Sequence, residues 1–245
     1  MKNGEGKVGS LSQLGRLKVE INESLKQLLN YRNVQEEEIK KLIIDSRYVF
    51  EHEGEEYDDY SMSTEMSWFP VTFRNSLFLS TFAFFEHTLT KLCKLLKERD
   101  NLTLNLRDIQ GGSTMERMQK YLKYVAKLNF PDNSTNWSFL KSCNTLRNSL
   151  IHSYGEIDEK VSKLLPTLNI TNDITKLTNE LLGYTRTLSR SDIIFTEERF
   201  YLLFDFCKET IYAIGYFFKE IFDCNPNLLD DKWDTVFVPG DIGLP

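Results

Sequence analysis

The sequence predicts an all-α protein, and three observations carry this prediction. Glycine and proline are scarce, with 12 and 6 residues in a chain of 245, so few tight turns interrupt the chain. Apolar residues recur at intervals of three and four, the spacing that buries one face of a helix. Aromatic residues make up 13% of the chain, enough for a bulky core. We expect one helical domain over residues 11–224, with a flexible N-terminus at 1–10 and a surface strap at 225–245.

Three helices are predicted in the first part of the chain. Leucine and isoleucine spacing predicts helices over 11–31 and 34–50, and an acidic loop with six carboxylates follows at 51–59. Proline is favoured in a first helical turn, so we expect a third helix to begin at Pro70 and to run through Glu98. Its centre is apolar on almost every side, which predicts a core helix that other elements cover on most sides, or one that also forms a subunit interface.

Capping residues predict the next two helices. Ser113 and Glu116 have the spacing of a capping box, which places the start of a helix there, and this helix is expected to end near Leu128. After a proline-containing turn, Ser134 is a favourable N-cap for a helix that continues to the stop signal at Gly155.

An irregular insert is expected before the last helix. Residues 158–194 are rich in Thr, Ser and Asn, and they predict a short helix to Leu165, a second helix near 173–183 and a loop or short extended piece. The last long helix is predicted to begin at Thr196, where acidic residues follow, and to reach about Phe222.

The charge and cysteine content exclude several classes of protein. The net charge of −6 excludes a generally basic surface for nucleic acid, although it leaves room for a small local phosphate site. Four scattered cysteines form no CxxC pair, and three of them lie in apolar helical contexts, which predicts buried, reduced thiols rather than disulfides. Three histidines are too few for a histidine-rich metal site, so no metal or other cofactor is expected.

Targeting signals are also missing from the sequence. The N-terminus is polar and glycine-rich and lacks the apolar segment of a signal peptide, and no run of about 18 apolar residues suggests a membrane span. We therefore expect a cytoplasmic protein that does not associate with a membrane.

The most informative stretch for function is Arg147–Tyr154, with the sequence RNSLIHSY. It pairs an arginine with a histidine five residues later, while the P-loop, GxGxxG, GxSxG and HExxH motifs do not occur. A second R-x4-H match occurs at Arg47 and His52, next to the acidic loop, and we interpret it as a coincidence. Short motifs carry such false-positive risks.

The helical wheel adds a physical argument about this stretch. One side of the predicted helix is apolar, and it carries Leu140, Cys143, Leu146, Leu150 and Ile151. Arg147 falls inside that stripe, so its charge must be paired or must face a pocket. On a straight helix Arg147 and His152 lie about 140° apart, so one helix would not direct both at the same atom. Either the helix distorts near His152, or a two-fold related copy completes the site.

The stretch resembles the signature of the HEPN superfamily, an all-helical domain that carries R-x(4–6)-H with a polar residue after the arginine. Arg147, Asn148 and His152 match this signature, and Tyr154 is similar to the last residue of the R-x4-H-x-Y form in HEPN toxins. Those toxins pair with nucleotidyltransferase antitoxins. The resemblance covers about residues 70–222 and implies a HEPN-like helical bundle with extra N-terminal helices and an irregular insert before the last long helix.

The resemblance implies a metal-independent endoribonuclease that acts as a homodimer on RNA, with no DNA substrate expected. His152 would be the catalytic acid or base, and Arg147 would hold the phosphate. Asn148 would orient His152 or the phosphate. Tyr154 would donate a hydrogen bond or be the site of inhibitory nucleotidylation, and Glu86, in a hydrophobic helix before the motif, would orient Arg147. The biological setting would be a toxin–antitoxin system, phage defence or a stress response, with an antitoxin or regulatory protein as a further partner.

Two other interpretations stay open. In the first, the chain is a non-catalytic HEPN-like module that binds a protein or nucleotide partner. In the second, it is an unrelated helical domain. In the last case Arg147 forms a structural ion pair, for example with Glu86, and His152 caps the C-terminus of its helix, where the helix dipole favours a cation.

Overall fold

The computed structural model describes residues 12–53, 59–173 and 198–228, and it describes side chains within these ranges except at 43–53 and 59–68. These residues are mostly helical, which confirms the all-α class. In chain order the elements are α1 Gln13–Glu53, α2 Asp59–Arg99, α3 Thr114–Lys120, α4 Thr135–Ser153, α5 Glu159–Ser162, β1 Ile170–Thr171, β2 Tyr201–Leu202 and α6 Phe206–Asp223.

The chain divides into two compact units. Of the described residues, unit 1 combines those up to Leu25 with Glu86–Asp132 and those from Gly215 onward, and unit 2 combines those within Lys26–Phe85 and Asn133–Ile214. The expected single domain over 11–224 stays a prediction, and the expected flexible segment 1–10 lies outside the described residues.

Helix α1 is continuous, so the prediction of two helices at 11–31 and 34–50 is wrong about the break. No glycine or proline lies between Tyr31 and Val34, so no residue there favours the end of a helix. The helix also runs through residue 53 and so takes in the first part of the predicted acidic loop. Its buried row contains Leu14, Leu17, Ile21, Leu25, Leu29 and Ile39.

Helix α2 begins at Asp59, so Pro70 lies inside the helix and not in its first turn, contrary to the prediction. A proline in a helix interior costs about 3 kcal/mol because it removes a backbone donor and crowds the preceding turn. The rings of Pro70 and Phe73 are buried, and this burial offsets the cost. Although α1 and α2 each have 41 residues, no helix of the described chain is long and apolar enough to cross a membrane.

An aromatic cluster forms the core of unit 2. The ring of Phe206 lies 5.2 Å from that of Phe78 and 6.0 Å from that of Phe139, so α2, α4 and α6 meet here. Phe78, Phe82 and Phe206 are fully buried, whereas Ala83 is exposed. The centre of helix α2 is therefore covered on most sides, as its sequence predicted, with Ala83 left exposed.

A buried ion pair joins α1 to α2 within unit 2. Nε and Nη2 of Arg74 donate to the two carboxylate oxygens of Glu36 at 2.9 and 3.1 Å, and both side chains are almost fully buried. Nη1 of Arg74 also donates to the carbonyl oxygen of Leu202 in β2 at 3.3 Å. One turn before Glu36, the guanidinium of Arg32 lies 4.0 Å from the ring centre of Phe204 and donates to its carbonyl oxygen at 2.7 Å. These bonds hold both helices against the strand segment.

The last helix begins at Phe206, later than the predicted start at Thr196. The residues before it form an antiparallel pair in which Ile170–Thr171 bonds with Tyr201–Leu202. Phe200–Leu203 are all buried, which is typical of a strand covered on both faces. A short apolar run cannot be assigned to helix or strand by periodicity, and here the partner strand decides.

In unit 1 the predicted capping box is confirmed. The backbone N–H of Glu116 donates to Oγ of Ser113 at 3.1 Å, and the Glu116 carboxylate accepts from the N–H of Ser113 at 3.4 Å. The predicted continuous α-helix to Leu128 is corrected, because α3 ends at Lys120 and a π-helical turn follows at Tyr121–Val125. Tyr121 and Leu122, the first two residues of this turn, are both buried.

The insert and the tail are described only in part. Helix α5 covers Glu159–Ser162 and is shorter than the helix predicted to Leu165. The second predicted helix and the extended piece up to Ile194 lie outside the described residues. Of the predicted strap 225–245, the structure describes a single 3-10 turn at Pro226–Leu228.

The cysteine prediction is confirmed for three thiols. Cys93, Cys143 and Cys207 are buried, whereas Cys224 is exposed. Burial raises the pKa of Cys93 and of Cys207 to about 12, and it also raises the pKa of Cys143. These three thiols are therefore neutral packing groups near neutral pH.

The ion pair makes a testable prediction about stability. We expect Glu36→Ala to lower the free energy of unfolding by about 3–5 kcal/mol, because the Arg74 charge then stays buried without its partner. The matched control is Glu37→Ala, which removes an exposed carboxylate paired with Lys40 and should change stability by less than about 1 kcal/mol. Urea unfolding measures both. Equal effects of the two substitutions would contradict a structural role for the buried pair.

Candidate functional site

The candidate site lies at the C-terminal end of α4. Ser134 begins this helix as predicted, because its Oγ accepts from the N–H of Asn136 at 3.1 Å and of Trp137 at 3.3 Å. One face of the helix is fully buried in its first part, through Trp137, Leu140, Cys143 and Leu146. This buried face fixes the rotation of α4 about its axis and thereby the directions of the residues that follow.

The helix emerges from the core at the motif. Arg147 is half-buried, and its Nη1 donates to Oδ1 of Asn148 at 2.9 Å. Leu150 is half-buried and Ile151 is 45% exposed, so the buried stripe ends at Leu146. The prediction that Arg147 lies within a buried apolar stripe is therefore corrected, because the stripe loses its cover one residue earlier.

His152 is exposed in the last turn of α4. Among the described residues, no group forms a hydrogen bond with its imidazole ring. The helix is regular through Ser153, so the distortion near His152 that was one of the two alternatives does not occur. Arg147 and His152 therefore keep an angular separation of about 140° around the helix.

Tyr154 ends the helix in a left-handed conformation, with φ of 52°. Its side chain is 79% exposed, and this conformation is uncommon for a residue with a Cβ atom. Gly155 follows with φ of 80°, and its N–H donates to the carbonyl oxygen of Ser149 at 3.1 Å, which confirms the predicted stop signal. A Cβ atom at Gly155 would lie 3.3 Å from the Leu150 side chain, so the position favours glycine for space as well.

The chain after the motif is anchored to the segment before β2. The N–H of Ile157 donates to the carbonyl oxygen of Glu198 at 2.9 Å, and the N–H of Phe200 donates to the carbonyl oxygen of Gly155 at 3.0 Å. Oγ of Ser149, within the motif, donates to the carbonyl oxygen of Glu156 at 2.9 Å. The backbone on which Tyr154 sits is therefore fixed, although its ring is exposed.

Glu86, the fifth predicted site residue, lies in helix α2 and is half-buried. It belongs to unit 1, whereas Arg147, Asn148, His152 and Tyr154 belong to unit 2. Its predicted role in orienting Arg147 stays a prediction.

Comparisons of the chain with protein-family models, with curated proteins and with solved structures gave no match. The resemblance to HEPN proteins therefore rests on the motif at 147–154 and on the helical layout around it. Function has to be argued from the chemistry of these side chains.

Sequence reasoning missed a second group of polar residues, which lines a cavity in unit 1. The cavity has a volume of about 620 Å³, and its cations are Lys94, Lys97, Arg107 and Arg117. The available signal was weak. Two lysines three residues apart share a helix face, but the two arginines come from separate segments that only the fold brings together.

The left-handed tyrosine makes a prediction about stability. We expect Tyr154→Gly to raise the free energy of unfolding by about 0.5–1 kcal/mol, because glycine relieves the positive φ and little packing is lost from an exposed ring. The matched control is Tyr124→Gly, which replaces another exposed tyrosine in a helical turn and should lower stability by a similar amount. Thermal unfolding measures both. A loss of stability in Tyr154→Gly would show that the ring itself stabilises the fold.

Proposed function

We propose that the protein is a metal-independent endoribonuclease of the HEPN type that acts as a homodimer. The proposal is carried by one observation. The R-x4-H-x-Y stretch lies where α4 leaves the core, so its imidazole and phenol are exposed while its guanidinium is half-buried and bonded to Asn148. A packing role alone would not require three polar groups of this kind at an emerging helix end.

The chemistry needs few groups because RNA supplies its own nucleophile. The 2′-hydroxyl attacks the adjacent phosphorus, its proton passes to a base, and the 5′-oxygen leaves after it receives a proton. The products are a 2′,3′-cyclic phosphate and a 5′-hydroxyl. His152 is the acid or base, since an imidazole exchanges protons near neutral pH. Arg147 binds the phosphate through two parallel hydrogen bonds and stabilises the charge that develops in the transition state.

The bond between Arg147 and Asn148 supports this assignment. It uses one nitrogen of the guanidinium and limits the rotation of the group, so less freedom is lost when a phosphate binds. In this proposal Asn148 orients the arginine, which refines the earlier expectation that it orients His152 or the phosphate. Tyr154 donates a hydrogen bond to the substrate or takes a nucleotidyl group that switches the enzyme off.

The direction of the side chains supports homodimerisation. Because the helix is regular, Arg147 and His152 of one chain point about 140° apart and do not converge on one phosphate. A two-fold related copy places the arginine of one chain beside the histidine of the other. Ile151 and Tyr154 are 45% and 79% exposed at the same end of α4 and would be covered by the second chain.

A non-catalytic module is the second candidate. The observation that favours it is the exposed imidazole, which no described residue orients by a hydrogen bond. Catalytic imidazoles are often oriented by a hydrogen-bond partner, although in some enzymes this bond forms only when the substrate binds. In this alternative the same surface binds a protein or a nucleotide. Toxin–antitoxin function, phage defence and a regulatory protein partner belong to the first proposal.

The proposal predicts that His152→Ala lowers the rate of RNA cleavage at least about 100-fold, since general acid–base catalysis contributes that much or more. The assay uses purified full-length protein, transfer RNA and messenger RNA with excess EDTA, which should leave the activity of the unmodified protein unchanged. Analysis of product ends should find cyclic phosphates and 5′-hydroxyls.

The matched control for this experiment is His52→Ala, which breaks the other R-x4-H match in the chain and should cleave RNA normally. Arg147→Ala should also lose activity. Full activity in His152→Ala at unchanged stability would overturn the nuclease proposal, and an inactive unmodified protein with all substrates would favour the non-catalytic module.

A mixing experiment tests the shared site. Arg147→Ala and His152→Ala proteins are inactive alone, and their mixture should recover up to about a quarter of normal activity after subunit exchange. The reason is that half of the dimers are mixed, and each mixed dimer has one intact arginine–histidine pair across the two-fold axis. No recovery, with mixed dimers demonstrated by differently tagged chains, would mean that each chain uses its own pair.

A further inference from the structure

We propose that the cation-lined cavity of unit 1 binds a small organic molecule that carries two or more phosphate groups. This site is separate from the R-x4-H motif, and the inference does not rest on the proposed nuclease function. Three elements build the cavity: the C-terminal part of α2, a 3-10 turn at Leu106–Asp108, and α3 with the π-helical turn that follows it.

The charge of the cavity points to an anionic ligand. Four cations line it, and no carboxylate does among the residues that the structure describes, although the whole chain carries a net charge of −6. Such a concentration of one sign is unfavourable unless a ligand or solvent ions compensate it, and low-dielectric walls strengthen its attraction for anions. Two or more phosphate groups would match this charge.

The nearest carboxylates, Asp108 and Glu116, stand outside the cavity lining and offset only part of its charge, because the four cations outnumber them. Asp108 accepts from the backbone N–H of Asn105 at 2.8 Å and from its side-chain amide at 2.9 Å, and the backbone bond is the main reason why the pKa of Asp108 is low. Arg107 lies 4.0 Å from Asp108, at the limit of an ion pair. Glu116 accepts from the backbone N–H of Gly112 at 2.9 Å.

Two of the cations, Lys97 and Arg117, are held by neutral partners, which leaves their charge available. Nζ of Lys97 donates to Oδ1 of Asn105 at 2.5 Å, and Nη2 of Arg117 donates to Oγ1 of Thr114 at 3.2 Å. Lys94 is exposed and has no partner among the described residues. An Ala at Gly111 would bring its Cβ within 2.9 Å of the Arg117 side chain, so this glycine lets the loop pack against the arginine stem.

The floor of the cavity explains why the ligand has an organic part. Cys93 and Tyr121 are buried there, and the phenol of Tyr121 donates to the carbonyl oxygen of Leu104 at 3.1 Å. Burial raises the pKa of the Cys93 thiol to about 12, so the floor carries no negative charge near neutral pH. A volume of about 620 Å³ lies within the range of small-molecule sites, and an inorganic phosphate would leave most of it unfilled.

A small molecule fits these observations better than an RNA strand. A strand is bound along an open groove by cations that track its backbone, with bases stacked on exposed aromatic rings. Here the tyrosine is buried in the floor, and the cations surround one cavity of limited volume.

The test uses the full-length protein and isothermal calorimetry with three probes, which are ATP, adenosine and inorganic tripolyphosphate. We expect ATP to bind, adenosine to bind at least about tenfold more weakly because it lacks charge, and tripolyphosphate to be weaker than ATP because it leaves the floor uncovered. Lys94→Gln and Arg117→Gln should each weaken ATP binding roughly tenfold, the value of one charge-assisted hydrogen bond.

The matched control is Lys120→Gln, which removes a cation from α3 outside the cavity lining and should leave ATP binding unchanged. His152→Ala should also bind ATP normally, which separates this proposal from the nuclease proposal. The inference is overturned if neither ATP nor tripolyphosphate binds at millimolar concentration, or if the two cavity variants bind ATP as the control does. It is also overturned if a short single-stranded RNA requires Lys94 and Arg117 while ATP does not.

Discussion

The buried ion pair between Glu36 and Arg74 is the constraint on which unit 2 depends. Two charges that lose their water are stable only when their geometry is good and their other hydrogen-bonding groups are satisfied. The bidentate contact meets the first condition, and the bond from Arg74 to the carbonyl of Leu202 meets part of the second. Because each bond needs a partner on a different element, the pair sets the positions of α1, α2 and β2 together.

The strand segment that the ion pair holds is also bonded to the R-x4-H motif. Backbone hydrogen bonds join the chain just before β2 to the chain that follows Tyr154, through Glu198 and Phe200. The first part of α4 packs its apolar face into the same unit, and its last turns carry the half-buried Arg147 and the exposed His152. The backbone of the motif is therefore fixed, and of its polar side chains Arg147 is held by a hydrogen bond to Asn148.

The two proposed sites use charge in different ways. At the motif a single guanidinium is bonded to a neutral amide, and an exposed imidazole lies five residues further along the helix. In the cavity of unit 1 the charge comes from several cations, while the neighbouring acids are bound to backbone amides. An acidic protein can bind phosphates in this way because most of its acids lie elsewhere, and the four cations of the lining outnumber the acids beside them.

The sequence by itself determined the features that depend on neighbouring residues. Ser134 begins α4, the capping box at Ser113 begins α3, and Gly155 ends the motif helix, because each uses bonds within a few residues of its own position. The same local logic located the R-x4-H motif and the buried thiols. It also gave the angle between Arg147 and His152, which depends only on helix geometry.

Only the tertiary structure decided the features that depend on distant partners. Tyr201–Leu202 became a strand because Ile170–Thr171 lies beside it, and Pro70 stayed inside α2, where its ring is buried. The buried cation that needed a carboxylate proved to be Arg74 with Glu36, separated by 38 positions in the chain. Such contacts leave no local pattern, since their energy arises only when the fold removes both groups from water.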